Sequence, residues 1–217
     1  MILVPVKNLG NAKQRLASVL DQSARTELAQ ARLHDVLDAL AMCCGRPKVS
    51  LVTSDPFAVH LAHQFDFEVI PDLTNRSETD AIEMATRLCE LRGVEHTLVI
   101  PADIPLIQPS ELAAILQAAP EEGSVLVPAA DGRGTNAILR RPAALFPLRF
   151  GNDSFRPHLA AARGSGKVCV VLELPGIALD VDNPGDLAAL ASPPGKTRTQ
   201  RLIHQWNVSE LPVAANE

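Results

Sequence analysis

Three aspartates stand out because each follows an apolar stretch in a stiff or extended setting. Asp103 lies in Val99-Ile100-Pro101-Ala102-Asp103-Ile104-Pro105-Leu106, where prolines on both sides restrict φ and hold the turn rigid. A fixed carboxylate at a strand end suits a hard cation such as Mg²⁺, which takes oxygen ligands and keeps several waters. It serves equally well as a turn former or helix cap. Asp180 and Asp182, in Leu179-Asp180-Val181-Asp182-Asn183-Pro184, stand two apart, and extended geometry puts both carboxylates on one face. Like charges that close repel unless a cation lies between them. The alternative is a cap at Asp182 beside a solvated Asp180. With Asp103 added, the set predicts a divalent-metal site.

Three further stretches could hold anions. The loop Lys7-Asn8-Leu9-Gly10-Asn11-Ala12-Lys13-Gln14-Arg15-Leu16 carries Lys7, Lys13 and Arg15 within nine residues. It either surrounds a triphosphate, helped by its own N–H groups, or is solvated surface. The Gly-x-x-x-x-Gly-Lys-Ser/Thr pattern of a Walker loop is absent. Asp131-Gly132-Arg133-Gly134-Thr135-Asn136-Ala137 nearly matches the dinucleotide fingerprint, but an extended segment follows it rather than a helix, so that reading fails. What remains is a set of N–H and hydroxyl donors for an anion, or a hairpin turn. In Phe150-Gly151-Asn152-Asp153-Ser154-Phe155-Arg156-Pro157-His158, Ser154 is placed to cap a helix whose first N–H groups attract a carboxylate or phosphate. His158 is expected to pack rather than to catalyse. No Ser-His-Asp or Cys-His arrangement offers a nucleophile.

Alternating strand and helix signals must position these groups. Ile2–Val6, Val49–Thr53, Phe67–Ile70 and His96–Ile100 read as strands. Helices are expected over Ser23–Met42, from Ser54-Asp55-Pro56 onward, over Thr79–Leu91 and over Pro109–Ala118. Ser124–Val127, Ala137–Leu139 and Val168–Leu174 are further strands, Ser154–Arg163 and Pro184–Leu190 helices, and Ala178–Val181 a short extended segment. This order predicts βαβ units: an α/β, Rossmann-like, mostly parallel sheet with helices on both faces. Ligands then sit beyond the carboxyl ends of strands, where the three aspartates fall. Residues 1–191 form the expected domain. Residues 192–217, opening Ser-Pro-Pro-Gly, read as a linker and a loosely attached terminal segment.

The 217 residues suffice for a sizeable core, which must be aliphatic because Tyr is absent and Trp occurs once. Scarce aromatics and a net charge of −5 argue against nucleic-acid binding. No stretch reaches the length of a membrane span and no signal-peptide pattern opens the chain, so a cytoplasmic location is expected. Cys43, Cys44, Cys89 and Cys169 lack metal-type spacing and are expected to be reduced. The Asn-x-Ser sequences at Asn75, Asn152 and Asn207 are then chance matches.

As a set the motifs resemble the 2-phospholactate/phosphoenolpyruvate guanylyltransferase family, within the molybdenum-cofactor-type nucleotidyltransferases. The resemblance runs in family order from Val4-Pro5-Val6-Lys7 to Pro184-Gly185-Asp186-Leu187, and the residues after Ala191 fall outside it. It implies transfer of GMP from GTP to a phosphorylated three-carbon acid (phosphoenolpyruvate, 2-phospho-L-lactate or 3-phospho-D-glycerate), with release of pyrophosphate, toward the deazaflavin coenzyme F-420. It implies Mg²⁺ on Asp103, Asp180 and Asp182, and an acid held by Thr135, Gly151 and Ser154. Lys7, Lys13 and Arg15 are the candidates for the triphosphate, Lys13 also for catalysis. A downstream transferase would take the activated product, and a homodimer is compatible with the sequence. The chain departs from many relatives at Ser77-Glu78-Thr79-Asp80-Ala81, where Asp80 replaces an Asn near the nucleotide. A carboxylate there could accept hydrogen bonds from the guanine N1–H and amino group. The rivals are a nucleotidyltransferase of the same fold acting on a molybdopterin or sugar phosphate, and a non-catalytic nucleotide-binding protein.

Overall fold

The computed structural model describes residues 1–11, 14–73, 76–191 and 195–206. Lys13 and the sequences at Asn75 and Asn207 lie outside them. Seven strands form one sheet: β1 (Ile2–Pro5), β2 (Val49–Val52), β3 (Glu68–Ile70), β4 (Thr97–Val99), β5 (Gly123–Pro128), β6 (Thr135–Arg141) and β7 (Val168–Val171). Their spatial order is β3-β2-β1-β4-β6-β5-β7. All neighbours pair in parallel except β6, which runs antiparallel to both β4 and β5. The sheet is thus mixed and mostly parallel, as expected.

Period-two alternation divides the strands between two cores. Ile2 and Val4, Leu98 and Ile100, Val125 and Val127, and Ala137 and Leu139 enter one; Leu3, Val99, Leu126 and Ile138 enter the other. Helices α1 (Gln22–Met42), α2 (Pro56–Gln64) and α4 (Pro109–Gln117) cover the first core. Helices α3 (Glu78–Leu91) and α5 (Phe155–Gly164) cover the second. Asp55 caps α2 as the sequence indicated, accepting from the Ala58 N–H, while α1 and α3 each start one residue before the expected Ser23 and Thr79, capped by Asp21 on the Ala24 N–H and by Ser77 on the Asp80 N–H.

Two expectations need revising. Residues 175–178, partly assigned to an extended segment, form the short helix α6 (Pro175–Ala178), because Pro175 opens a helical turn. Irregular backbone carrying Asp180 and Asp182 follows, before α7 (Pro184–Ala191). The second revision concerns the terminal segment, read as loosely attached. Residues 198–205 form α8 (Arg198–Gln205), docked on α1. The carboxylate of Asp35 on α1 accepts from the Arg198 N–H (2.8 Å), the Thr199 N–H (2.9 Å) and the Thr199 hydroxyl (2.6 Å). Ile203 is buried beside Leu16, Leu28, Leu187 and Leu190.

That anchor predicts an effect. Asp35 is itself buried, so Asp35→Ala leaves the Arg198 and Thr199 N–H groups without their acceptor, though Thr197 still caps the Gln200 N–H, at a cost of about 2–3 kcal/mol. Chemical denaturation with hydrogen exchange over Thr199–Ile203 checks it. Unchanged stability and protection would rule the anchor out.

Candidate active site

Because β6 is antiparallel, its first residue Thr135 comes to the same sheet edge as the loops leaving β1, β4, β5 and β7. There an open cleft of about 510 Å³ gathers Asp103, Asp180, Asp182, Thr135, Gly151, Ser154 and Arg15. It shares Glu78, Pro101 and Asp103 with an adjoining hollow lined by Pro5, Lys7 and Arg32. Motifs from residue 5 to residue 182 thus meet on one edge, in two connected compartments.

Backbone contacts fix the aspartate loops to each other. The Val181 N–H donates to the Asp103 carbonyl at 3.3 Å, and the Ala130 N–H to the Ala178 carbonyl at 2.8 Å. Asn136, buried at the start of β6, clips the same segment: its amide nitrogen reaches the Ile177 and Ala178 carbonyls at 3.0 Å each and an Asp180 carboxylate oxygen at 3.1 Å. Burial pushes the Asp180 carboxyl above the ordinary range; Asp103 and Asp182 add to the rise and the Asn136 amide offsets part of it. Beneath the three lies Arg32 of α1, 2% exposed, donating to the Val181 carbonyl at 2.7 Å. Burial lowers its pKa, while Asp103, Asp182 and Asp180 draw it back up.

Does this donor set fit a divalent cation? Among the described residues the main cleft is lined by six carboxylates (Glu78, Asp103, Asp131, Asp153, Asp180, Asp182) against two guanidinium groups (Arg15, Arg133). Such a surface repels a polyphosphate unless a cation is shared between them. Among the described residues no group of three or more His, Cys, Asp or Glu side chains is drawn together tightly enough to hold an ion. The carboxylates therefore ring the cleft and form no closed cage. An open ring of hard oxygen donors suits Mg²⁺, which keeps waters and binds substrate phosphates alongside one or two carboxylates.

The two stretches expected to hold an anion meet across the same cleft. The loop 129–135 is the β5–β6 turn: the Ala129 N–H donates to the Gly134 carbonyl, and Asp131 accepts from the Arg133 and Gly134 N–H groups. The hairpin-turn reading holds, and the Gly132, Arg133, Gly134 and Thr135 N–H groups are taken up by Ala129, Asp131 and Ser154 rather than left for an anion. Arg133 pairs bidentately with Asp153, tying it to the loop before α5. In that loop Gly151 has φ of +128°, a conformation glycine adopts without strain. Ser154 occupies the N-cap position of α5, yet its hydroxyl caps no helix N–H; it accepts from the Thr135 N–H at 3.1 Å. The expected cap is replaced by a link between the two loops.

The basic residues are split. Arg15 is exposed and bridges the cleft, reaching Asn152 at 3.2 Å and Asp182 at 3.8 Å. Lys7 borders the adjoining hollow and pairs with the buried carboxylate of Asp72 at 2.8 Å. Asp80 is exposed on α3 and lines neither compartment; Glu78, two residues earlier, lines both. Arg32 and Glu78 are cleft residues to which sequence reasoning gave no role, and Asn136, read as part of an anion-donor loop, instead clips the aspartate segment. A signal existed for Arg32: it interrupts the buried stripe Leu28, Leu33, Val36, Leu37 of α1 with a charge.

His158 is 1% exposed and packed edge-on to Phe150. Burial, and then the cation of Arg140, lower its pKa from 6.5 to about 4. The folded ring thus stays neutral where an unfolded one takes a proton. Stability is complete above pH 6.5 and is lost as pH falls toward 4, at up to ~1.4 kcal/mol per pH unit. Urea unfolding across that interval, compared with His158→Asn, checks the sign. Parallel curves for the two proteins would exclude His158 as the source.

Comparison with known proteins places the chain. A family model described as guanylyl transferase CofC like matches residues 1–209, which carries the similarity beyond residue 191 and through α8. The chain is 35% identical over 204 residues to a phosphoenolpyruvate guanylyltransferase of Roseiflexus castenholzii, covering 94% of this chain and 93% of that one. To the protein of the same name from Rubrobacter xylanophilus it is 37% identical over 198 residues, covering 89% and 94%. A Desulfovibrio desulfuricans G20 structure, described as a nucleotide-diphospho-sugar transferase, superposes with a TM-score of 0.76 at 20% identity, covering 94% and 93%. A 4-diphosphocytidyl-2C-methyl-D-erythritol synthase superposes with 0.59 at 15% identity, covering 87% and 95%. At such identities the two structures support the fold alone.

Proposed function

The chain belongs to the CofC-like guanylyl transferase family, and on that premise we propose that it moves GMP from GTP onto phosphoenolpyruvate, or a closely related phosphorylated three-carbon acid, in the making of coenzyme F-420. One observation supports this above others. Carboxylates able to hold a cation and the hydroxyl pair Thr135–Ser154 face one cleft, although they come from loops far apart in sequence.

In the proposed reaction a phosphate oxygen of the acid attacks the α-phosphorus of GTP. The bond from that phosphorus to the α,β-bridging oxygen breaks, and pyrophosphate leaves with the electron pair. The attacking oxygen is already anionic, so neither a general base nor a covalent enzyme intermediate is needed. The obstacle is bringing two anions together in line, and holding them in position supplies much of the rate. Thr135, Gly151 and Ser154 hold the acid from the β6 side. Arg15, Lys7 and Lys13 attend the triphosphate and the departing pyrophosphate. Asp103, Asp180 and Asp182 would hold Mg²⁺, which when bound neutralises charge between the reactants and polarises the phosphoryl group. No helix among the described residues is long and apolar enough to cross a membrane. The reading carries with it a cytoplasmic location and a downstream transferase that consumes the activated acid.

The test is pyrophosphate release with GTP and Mg²⁺, offering each of the three acids separately and again with the deazaflavin acceptor and its transferase; ATP and CTP replace GTP in parallel. Release with GTP and phosphoenolpyruvate is the expected result. A folded protein that binds GTP and releases nothing with any acid defeats the proposal.

A further inference from the structure

We infer that His158 is a positioning residue for the acceptor: held as the Nδ1–H tautomer by the Arg149 backbone amide, it turns the Thr135–Ser154 hydroxyl pair into a hydrogen-bond donor aimed at the acid. The inference rests on the reading of that pair as the acid-binding side. It follows from counting donors and acceptors around one buried ring.

The imidazole has two polar neighbours. Its Nε2 lies 2.8 Å from the backbone nitrogen of Arg149. That amide can only donate, so Nε2 must present a lone pair. A neutral ring then carries its proton on Nδ1, which lies 2.9 Å from the Thr135 hydroxyl oxygen. Nδ1 donates and Thr135 accepts. Ser154, one turn before His158 on the chain, has an acceptor position filled as well, by the Thr135 N–H at 3.1 Å.

Two hydroxyl protons remain for one short path. The two oxygens stand 3.4 Å apart, and a single proton occupies the line between them. The other must turn away from the pair. Thr135 and Ser154 are both buried yet both line the cleft, so the outward direction is the cleft itself. Either arrangement delivers one hydroxyl donor there, which an anionic acceptor satisfies. A protonated ring would set an Nε2–H against the Arg149 N–H; burial keeps the ring neutral and the donor pattern intact.

Two substitutions separate this role from plain packing. In His158→Asn the side-chain NH₂ takes the place of Nδ1 and can still donate to Thr135. In His158→Gln the side-chain carbonyl takes the place of Nε2: it accepts from Arg149 but offers Thr135 no donor. The expected result is a KM for the acid within about threefold of wild type in His158→Asn and raised roughly tenfold or more in His158→Gln, with the KM for GTP unchanged in both. A ¹⁵N spectrum of the imidazole in the wild-type protein should show Nδ1 protonated and Nε2 bare. An Nε2–H tautomer overturns the inference whatever the reaction proves to be. So does a pair of variants whose KM values for acid and GTP rise together in step with lost thermal stability. A wild-type chain inactive with every acid defeats the functional reading instead, and the tautomer spectrum still decides the hydrogen-bond pattern.

Discussion

Asp103→Asn should leave a folded protein whose GTP-dependent pyrophosphate release is lower by roughly 10³-fold or more, the scale on which removing a charge-stabilising group acts in phosphoryl and acyl transfer. The substitution keeps size and shape and deletes one negative charge. The backbone link from Val181 to the Asp103 carbonyl does not involve the side chain and survives. Melting within a few degrees of wild type is therefore expected. Asp103 borders both compartments, so on the proposed reading a cation held there would lie between nucleotide and acceptor, where neutralisation is needed most. Single-turnover release at saturating Mg²⁺, alongside circular dichroism, decides the matter. Near-normal turnover would remove Asp103 from the metal site and weaken the case for Asp180 and Asp182 with it.

The second large effect concerns stability. Arg32→Met removes a buried cation from beneath three carboxylates and leaves the Val181 carbonyl without its donor. Breaking such a buried arrangement from one side costs about 3–5 kcal/mol. In a chain of this size that corresponds to roughly 6–20 °C in Tm. The thioether fills most of the volume, so the loss reports charge rather than a cavity. Magnesium should raise the Tm of the variant more than that of wild type, because the carboxylates then depend on the metal alone. Differential scanning fluorimetry with and without Mg²⁺ measures both effects. Equal metal responses in the two proteins would mean that Arg32 and the metal do not share those carboxylates.

What the sequence disclosed and what it withheld follow one physical line. Strands and helices were legible because their signals are local: the continuous apolar run Val125-Leu126-Val127, buried on both faces, and caps such as Asp55 before Pro56. Asp103 was legible for the same reason, fixed by two prolines in its own turn. The groups that went unread act over distance. Arg32 meets the Val181 carbonyl across 149 residues; the partners of two residues that were read, Asn136 and His158, lie 44 and 23 residues away at Asp180 and Thr135. Helix α8 reads as polar surface until Asp35, 164 residues before Thr199, supplies its N-terminal acceptors. Ser154 was legible as a helix start but not as a loop link, since nothing beside it announces Thr135.

The reversed strand β6 has a consequence for how such a protein can diverge. The hollow proposed to take part of the nucleotide is built from the first half of the chain, around Lys7, Arg32 and Asp103. The groups proposed to hold the acceptor, Thr135, Gly151 and Ser154, ride on the β5–β6 hairpin and the loop before α5. Descendants could exchange one organic acid for another by rewriting those two short stretches, leaving the inherited nucleotide half untouched. Asn136, whose amide reaches the Ile177 and Ala178 carbonyls and the Asp180 carboxylate, and the Ala130 N–H on the Ala178 carbonyl together tie that hairpin to the aspartate segment, so a rewritten hairpin that kept both ties would keep the aspartates in place.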